Sequence, residues 1–198
     1  MKKLLLLLFS ILISFNSYGL FHKTVCVGID TQHRGGLIYM PNETKPYTGN
    51  TLCFYENGQK KHKGKFKDGV RDGRWTWWHE NGQKRGESNF KDVGLADGKE
   101  TWWYEDGKLE SQKNYIDGKE NGKSNRWYEN GQKKYEEIYK DGEFDGKFIA
   151  WYKNGQIEVV ANFIDGKRDG KMTMWNENGQ KELEGNFKDG ICISGDCD

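Results

Sequence analysis

An Asn-Gly or Asp-Gly pair that returns every two dozen residues leaves a chain little choice of fold, because each pair breaks a helix and turns a strand. The glycine of this element stands at Gly58, Gly82, Gly107, Gly131, Gly155 and Gly179, with successive spacings of 24, 25, 24, 24 and 24 residues. The one longer interval carries an extra residue in "KDVGLADG", where a neighbouring loop reads "KDGVRDG". A period of this length marks an array of supersecondary units rather than a single globular core.

Aligned on that glycine, three positions are constant in type. Four residues before it stand Phe54, Trp78, Trp103, Trp127, Trp151 and Trp175; eight after it stand Phe66, Phe90, Tyr115, Tyr139, Phe163 and Phe187. Ten after it comes Asp68, Asp92, Asp117, Asp141, Asp165 or Asp189. Two aromatic positions half a repeat apart, with a turn after each, describe two short strands, so the unit is a β-hairpin. The fold class expected is all-β: an elongated, single, twisted antiparallel sheet of about six tandem 24-residue hairpins. About twelve strands at roughly 4.8 Å spacing extend on the order of 50 Å. An upstream stretch, "LIYMPNETKPYTGNTLC", reads as a degenerate first unit, since Gly49 precedes Gly58 as Gly73 precedes Gly82.

Loop length decides which residues share a face. A three-residue Glu-Asn-Gly loop, a type I turn closed by a left-handed glycine, pairs His79 with Gln83 and puts Trp78 on the side of Phe90. Both aromatic columns are then expected on one face as the repeat core. The opposite face would carry the rings that do not repeat, Trp75, Trp77 and Trp102, beside Tyr104, Tyr128 and Tyr152, as a candidate binding patch. The longer "KDGVRDGR" linker reads as a second, Asp- and Gly-rich turn.

The N-terminus "MKKLLLLLFSILISFNSYG" has Lys2 and Lys3, an apolar run over residues 4–13, and small residues at Ser17 and Gly19. That is a signal-peptide pattern, with cleavage expected after Gly19 and no transmembrane anchor afterwards, because ten apolar residues fall short of the roughly 20 that span a bilayer. Export to a periplasm or to the cell surface makes disulfides the expected state of Cys26, Cys53, Cys192 and Cys197. Of the three possible connectivities, Cys26 with Cys53 and Cys192 with Cys197 would fasten the two ends of the array. The organisation expected is a signal peptide over 1–19, an irregular lead-in over 20–36, the array over 37–193 and a tail over 194–198.

The alternation of ring, Asn-Gly-Gln and Asp-Gly in "WYENGQKKYEEIYKDGEFDGK", residues 127–147, resembles the MORN-repeat variant of many bacterial proteins, including the YwqK-type antitoxin components. The resemblance covers roughly residues 37–193. It implies a row of β-hairpins in one sheet with a scaffolding or binding role, and it brings no catalytic residues to carry over.

Composition agrees with that class. Hydrophobic residues make up only 34% of the chain and aromatics 14%, so order must come from rings on thin β structure rather than from a deep aliphatic core. With 31 basic and 30 acidic residues there is no electrostatic footprint for nucleic acid. His22, His33, His62 and His79 are scattered, no nucleophile, acid and base share a spacing, and the paired acids of the Asp-Gly linkers are too few for a calcium shell, so no enzyme, metal or cofactor is expected. A basic column, Arg74, Lys99, Lys123, Lys147 and Lys171, either meets an anionic partner such as lipid head groups or guards the array against edge pairing. The function expected is a non-catalytic exported scaffold that binds another protein; the alternatives are a glycan or envelope-surface module and an antitoxin-like inhibitor that acts by binding.

Overall fold

The structure, a computed structural model, describes residues 25–197, and the expected signal segment lies outside them. Among the described residues there is no helix. Each repeat contributes a first strand that ends on the tryptophan column and a second strand that ends before the Asp-Gly turn. The first strands are Gly49–Phe54, Val70–Trp78, Gly98–Trp103, Gly122–Trp127, Gly146–Trp151 and Gly170–Trp175. The second strands are Lys60–Lys67, Lys84–Lys91, Leu109–Ile116, Lys133–Lys140, Ile157–Ile164 and Lys181–Lys188. Each pairs antiparallel with its sequence neighbours, so the array is one long antiparallel sheet in chain order. Within it Gly49–Phe54 pairs only with Lys60–Lys67, and Ile191–Gly195 only with Lys181–Lys188, so the sheet is open at both ends rather than closed into a barrel.

Both kinds of turn follow from local chemistry. At Asn-Gly the loop is the expected three residues: the Gly82 amide donates to His79 O at 3.0 Å and the His79 amide to Gln83 O at 2.9 Å. The first Asp of each linker sits in the left-handed region, as at Asp117 (φ 49°), which with Gly118 (φ 79°) makes a two-residue type I′ hairpin. Aspartate recurs here because it tolerates that conformation better than most side chains. The second Asp-Gly of the linker is not part of the turn. Strand pairing resumes through it as a bulge, in which the Asp97 amide bonds Asn89 O at 2.9 Å.

One further bulge overturns the expected face assignment. In every hairpin the register slips once, just before the tryptophan column: Trp77 opposes Gly86, yet Trp78 opposes Lys84, so Arg85 is an extra residue. Lys61, Glu110, Lys134, Glu158 and Glu182 are its equivalents. An extra residue in a period-two strand exchanges the faces of everything beyond it. The two aromatic columns are therefore on opposite faces. Phe66, Phe90, Tyr115, Tyr139, Phe163 and Phe187 share what we term the inner face with Trp75, Trp77 and Trp102. Trp78, Trp103, Trp127, Trp151 and Trp175 stand on the outer face, and Phe54, first of that row with no ring before it, is 51% exposed.

The ends of the array are built from sequence outside the repeat. Gln32–Arg34, in the expected lead-in over 20–36, forms a hairpin with Leu37–Tyr39 just beyond it. Val25 pairs parallel with Thr51 on the free edge of the first strand, and Ile38 packs with Phe66 and Trp75 on the inner face. At the other end Ile191–Gly195 adds a strand, and Cys197 packs with Ala161, Met172 and Phe187. The disulfides join Cys26 to Cys53 and Cys192 to Cys197.

The inner face depends on glycines where indoles lie flat on the backbone. A Cβ at Gly64 would come within 2.3 Å of the Trp75 ring, and one at Gly86 within 2.5 Å of the Trp102 ring. Gly86→Ala should therefore displace Trp102 and destabilise the fold by about 1–3 kcal/mol, a fall of several degrees in Tm, whereas Ser88→Ala two residues away should cost less. Thermal melts of both variants check the order.

Candidate interaction face

The inner face is a packed layer with a polar middle. At its N-terminal end His62, Trp75, Trp77 and Trp102 form a row of near-parallel rings with centroids 5.9, 5.8 and 5.2 Å apart, edged by Phe66 and Phe90. Trp75 is only 2% exposed, and its indole N–H donates to Lys65 O at 3.1 Å. Burial, and then the charges of Lys61 and Arg71, pull the His62 imidazole below its usual pKa. At the C-terminal end Phe144, Phe148 and Phe163 pack together, as do Ala161, Met172 and Phe187.

Between these ends the third and fourth repeats carry charge. Glu120 accepts from Lys113 and, at 3.5 Å, from the Tyr115 hydroxyl; buried Glu137 accepts from Ser124 at 3.3 Å and Tyr139 at 3.4 Å. Burial, reinforced by the facing carboxylates, holds the Tyr115 and Tyr139 phenols well above their usual pKa.

The expected aromatic patch is thus not an exposed surface. Trp75, Trp77 and Trp102 belong to the inner packing. Tyr104, Tyr128 and Tyr152 are tied down differently: their hydroxyls donate to the carbonyls of Trp127, Trp151 and Trp175 in the next repeat, at 2.6, 2.9 and 2.8 Å. Tyr55 does the same to Trp78, and His79 makes the equivalent contact with Trp103 O. The physical reason is again the bulge, which turns the tryptophan column outward and leaves the non-repeating rings to fill the inner side.

The turn asparagine carries a role that counting turns does not reveal. Its Oδ1 accepts the amide two residues on, as Asn130 does from Gln132 at 3.1 Å, while its Nδ2 donates to the carbonyl of Lys153 in the next repeat at 2.8 Å. Asn57, Asn81 and Asn154 repeat both bonds. In the third repeat Asp106 cannot donate, and Lys108 replaces the usual glutamine; its Nζ reaches Glu129 O at 3.0 Å in place of the missing amide. That paired change was visible in "EDGK" and is the signal that could have exposed the contact.

Among the described residues the segments outside the array pack on the inner side, Ile38 at one end and Cys192 and Cys197 at the other, and none of them covers the outer face. It shows the tryptophan column with lysines over the next repeat's rings: Lys60 on Trp78, Lys84 on Trp103 and Lys133 on Trp151, at 5.4–5.6 Å. The basic column lies here too, and three of its members are paired across their hairpins: Arg74 with Glu87, Lys123 with Glu136 and Lys171 with Glu184. Hydrogen bonds from these cations and from Lys84, Lys133 and Lys181 hold the three carboxyls below their usual range, against the opposing effect of burial. Ile138 and Ile157, 37% and 41% exposed, also stand on this face, Ile138 opposite Lys123 of the basic column and Ile157 opposite Trp151.

A single open antiparallel sheet of tandem hairpins, tied repeat to repeat through side chain and backbone, is a repeat scaffold. The family model described as "MORN repeat variant" matches six stretches, residues 47–68, 71–92, 96–117, 120–141, 144–165 and 168–189, more than half of the chain. The chain belongs to that family, whose repeats are in general a non-catalytic module. No curated protein matches it. Among solved structures it is similar to the crystal structure of a GtfA/B complex bound to UDP and GlcNAc, at 13% identity over 85% of this chain and 29% of that one, with a TM-score of 0.22.

The substitution Asn154→Asp should keep the acceptor for Gln156 N but lose the donor to Glu177 O, a cost of about 1–2 kcal/mol in urea unfolding. Adding Gln156→Lys should recover much of it, as Asp106 and Lys108 do in the third repeat. A double-mutant cycle that shows no recovery would refute the contact's role.

Proposed function

We propose that this chain is an exported, non-catalytic scaffold that holds another protein against the outer face of its sheet. The observation that carries the reading is that face itself: a row of half-buried tryptophans, bordered by charge pairs and by exposed Ile138 and Ile157, with no layer of the described chain over it. Large rings flanked by Lys and Glu are the composition of a protein-binding surface with a polar rim. Membership of a repeat family supports a binding role, since such arrays present extended surfaces to partners. Two disulfides in a chain of this kind are the chemistry of an oxidising compartment, which supports export.

Glycan binding keeps one foothold. Trp102 borders a groove lined by Glu100, Ser111, Lys113 and Arg126, hydrogen-bonding groups suited to a sugar, whereas buried Trp75 offers no open ring face.

Two measurements test the scaffold reading. Mass spectrometry of the chain recovered from its native host should find a mature N-terminus at Leu20; an intact Met1 on the bulk of the protein counts against export. A photo-crosslinking residue at Ile157 or Ile138 should trap one discrete protein in living cells, and the same residue at the Gly166 turn should not. Adducts at neither outer-face position would sink the proposed role.

A further inference from the structure

The place where the array departs most from its own repeat is its N-terminal end, and a groove of about 460 Å³ opens there. One wall is the non-repeated segment, with Val27, Gly28, His33 and Ile38; the Cys26–Cys53 disulfide pins that segment to the first strand. The floor is the inner-face row of His62, Trp75 and Trp77. Val93, the single inserted residue of the whole array and 75% exposed, forms part of the rim with Val70.

Arg71 supplies the charge. Eleven residues before the turn glycine the repeats read Tyr47, Arg71, Ala96, Glu120, Phe144 and Arg168, so a cation is not a requirement of the fold at this position. The Arg71 guanidinium lies 5.0 Å from the Trp75 centroid, 5.6 Å from Trp77 and 5.3 Å from Phe90, held over ring faces while its outer side stays open. Neighbouring Arg74 pairs with Glu87, but among the described residues no carboxylate stands within ion-pair distance of Arg71. No Asp or Glu lines the groove either. Arg168 sits over Phe187 in the same way in the last repeat, where Cys192 and Cys197 rather than the N-terminal segment pack beside the ring.

We propose that this groove binds a carboxylate carried beside an apolar side chain, as presented by an acidic, aromatic or aliphatic segment of a partner protein. The guanidinium is the counter-charge, its fork matched to a carboxylate, and its position over the rings is fixed before the ligand arrives. The lining favours a peptide over a sugar. Its polar side chains are only Arg71, His33 and His62, so the hydroxyls of a buried sugar would lose water without gaining partners, whereas an apolar side chain would cover Val27, Val70, Val93 and Trp77. The proposal rests on the protein-binding reading only for the source of the carboxylate.

The experiment uses the mature, oxidised chain and three probes: N-acetyl-phenylalanine, its neutral amide, and glucuronate. The carboxylate probe should shift the Trp77 indole resonance saturably, with at least tenfold weaker binding for the amide and for glucuronate. Arg71→Met, which keeps an aliphatic stem over the rings, should weaken the carboxylate probe tenfold or more, and Arg168→Met should not. The Trp75 indole N–H signal reports that each variant is folded. Equal binding of the amide, or undiminished binding to folded Arg71→Met, overturns the site; equal binding of glucuronate overturns the peptide assignment. Because the probes are titrated against the chain alone, their failure leaves the crosslinking result on the outer face to stand or fall by itself.

Discussion

One extra residue in each second strand, Arg85 opposite Trp77 and Trp78 in the second repeat, decides which side of the sheet every ring occupies. A strand alternates its side chains with a period of two, so a single bulge is enough to send the two constant aromatic columns to opposite faces. The inner face then has room for rings that do not repeat, and the glycines at 64 and 86 let those rings lie against the backbone. The outer face is left with an unbroken row of tryptophans. Both candidate surfaces descend from that one irregularity.

A sheet with little aliphatic core needs another source of cohesion along its length, and backbone carbonyls of the adjoining unit provide it on both borders, those of the following repeat at the Asn-Gly turns and those of the preceding turn at the Asp-Gly ones. At the Asn-Gly border the donors are the asparagine amide and the tyrosine hydroxyl. At the Asp-Gly border they are turn glycine amides, as Gly118 to Ala96 O, Gly142 to Glu120 O and Gly166 to Phe144 O. Each is a contact to the nearest neighbour only, the condition under which stability becomes a sum over repeats and interfaces. The acceptors in these ties are atoms that every residue possesses and the donors lie at the turns, which leaves the side chains of the inner and outer faces free to differ. That freedom is visible in the inner face, aromatic at one end, charged in the middle around Glu120 and Glu137, and apolar at the other.

The ends show how an open sheet is finished. Unpaired strand edges invite association with other chains. Here Val25 covers part of the first edge and a disulfide holds it there, while the last hairpin is extended by Ile191–Gly195 and closed by the second disulfide. The same N-terminal segment that covers the edge also raises a wall over Trp75 and Trp77, so finishing the fold and forming a groove are one structural act.

The sequence by itself determined the hairpin unit, its period and the three-residue Asn-Gly loop, and it placed the cysteines near the two ends, while their pairing, one of three that the sequence allowed, is seen in the structure. Those follow from local rules: which residues turn, which rings recur, and where the chain stops repeating. It could not place Trp78 opposite Phe90, because the bulge position carries only a charged side chain, Lys61, Arg85, Glu110, Lys134, Glu158 or Glu182, which any solvent-facing strand position can carry. Nor could it show that Asn57 and Tyr104 bond the next repeat, since residues 23 positions apart meet only once the strands are in register. Which tryptophans join the inner packing and which stand on the outer face was decided by tertiary structure alone, because the face depends on pairing across the sheet, and a period read along the chain carries no information about that direction.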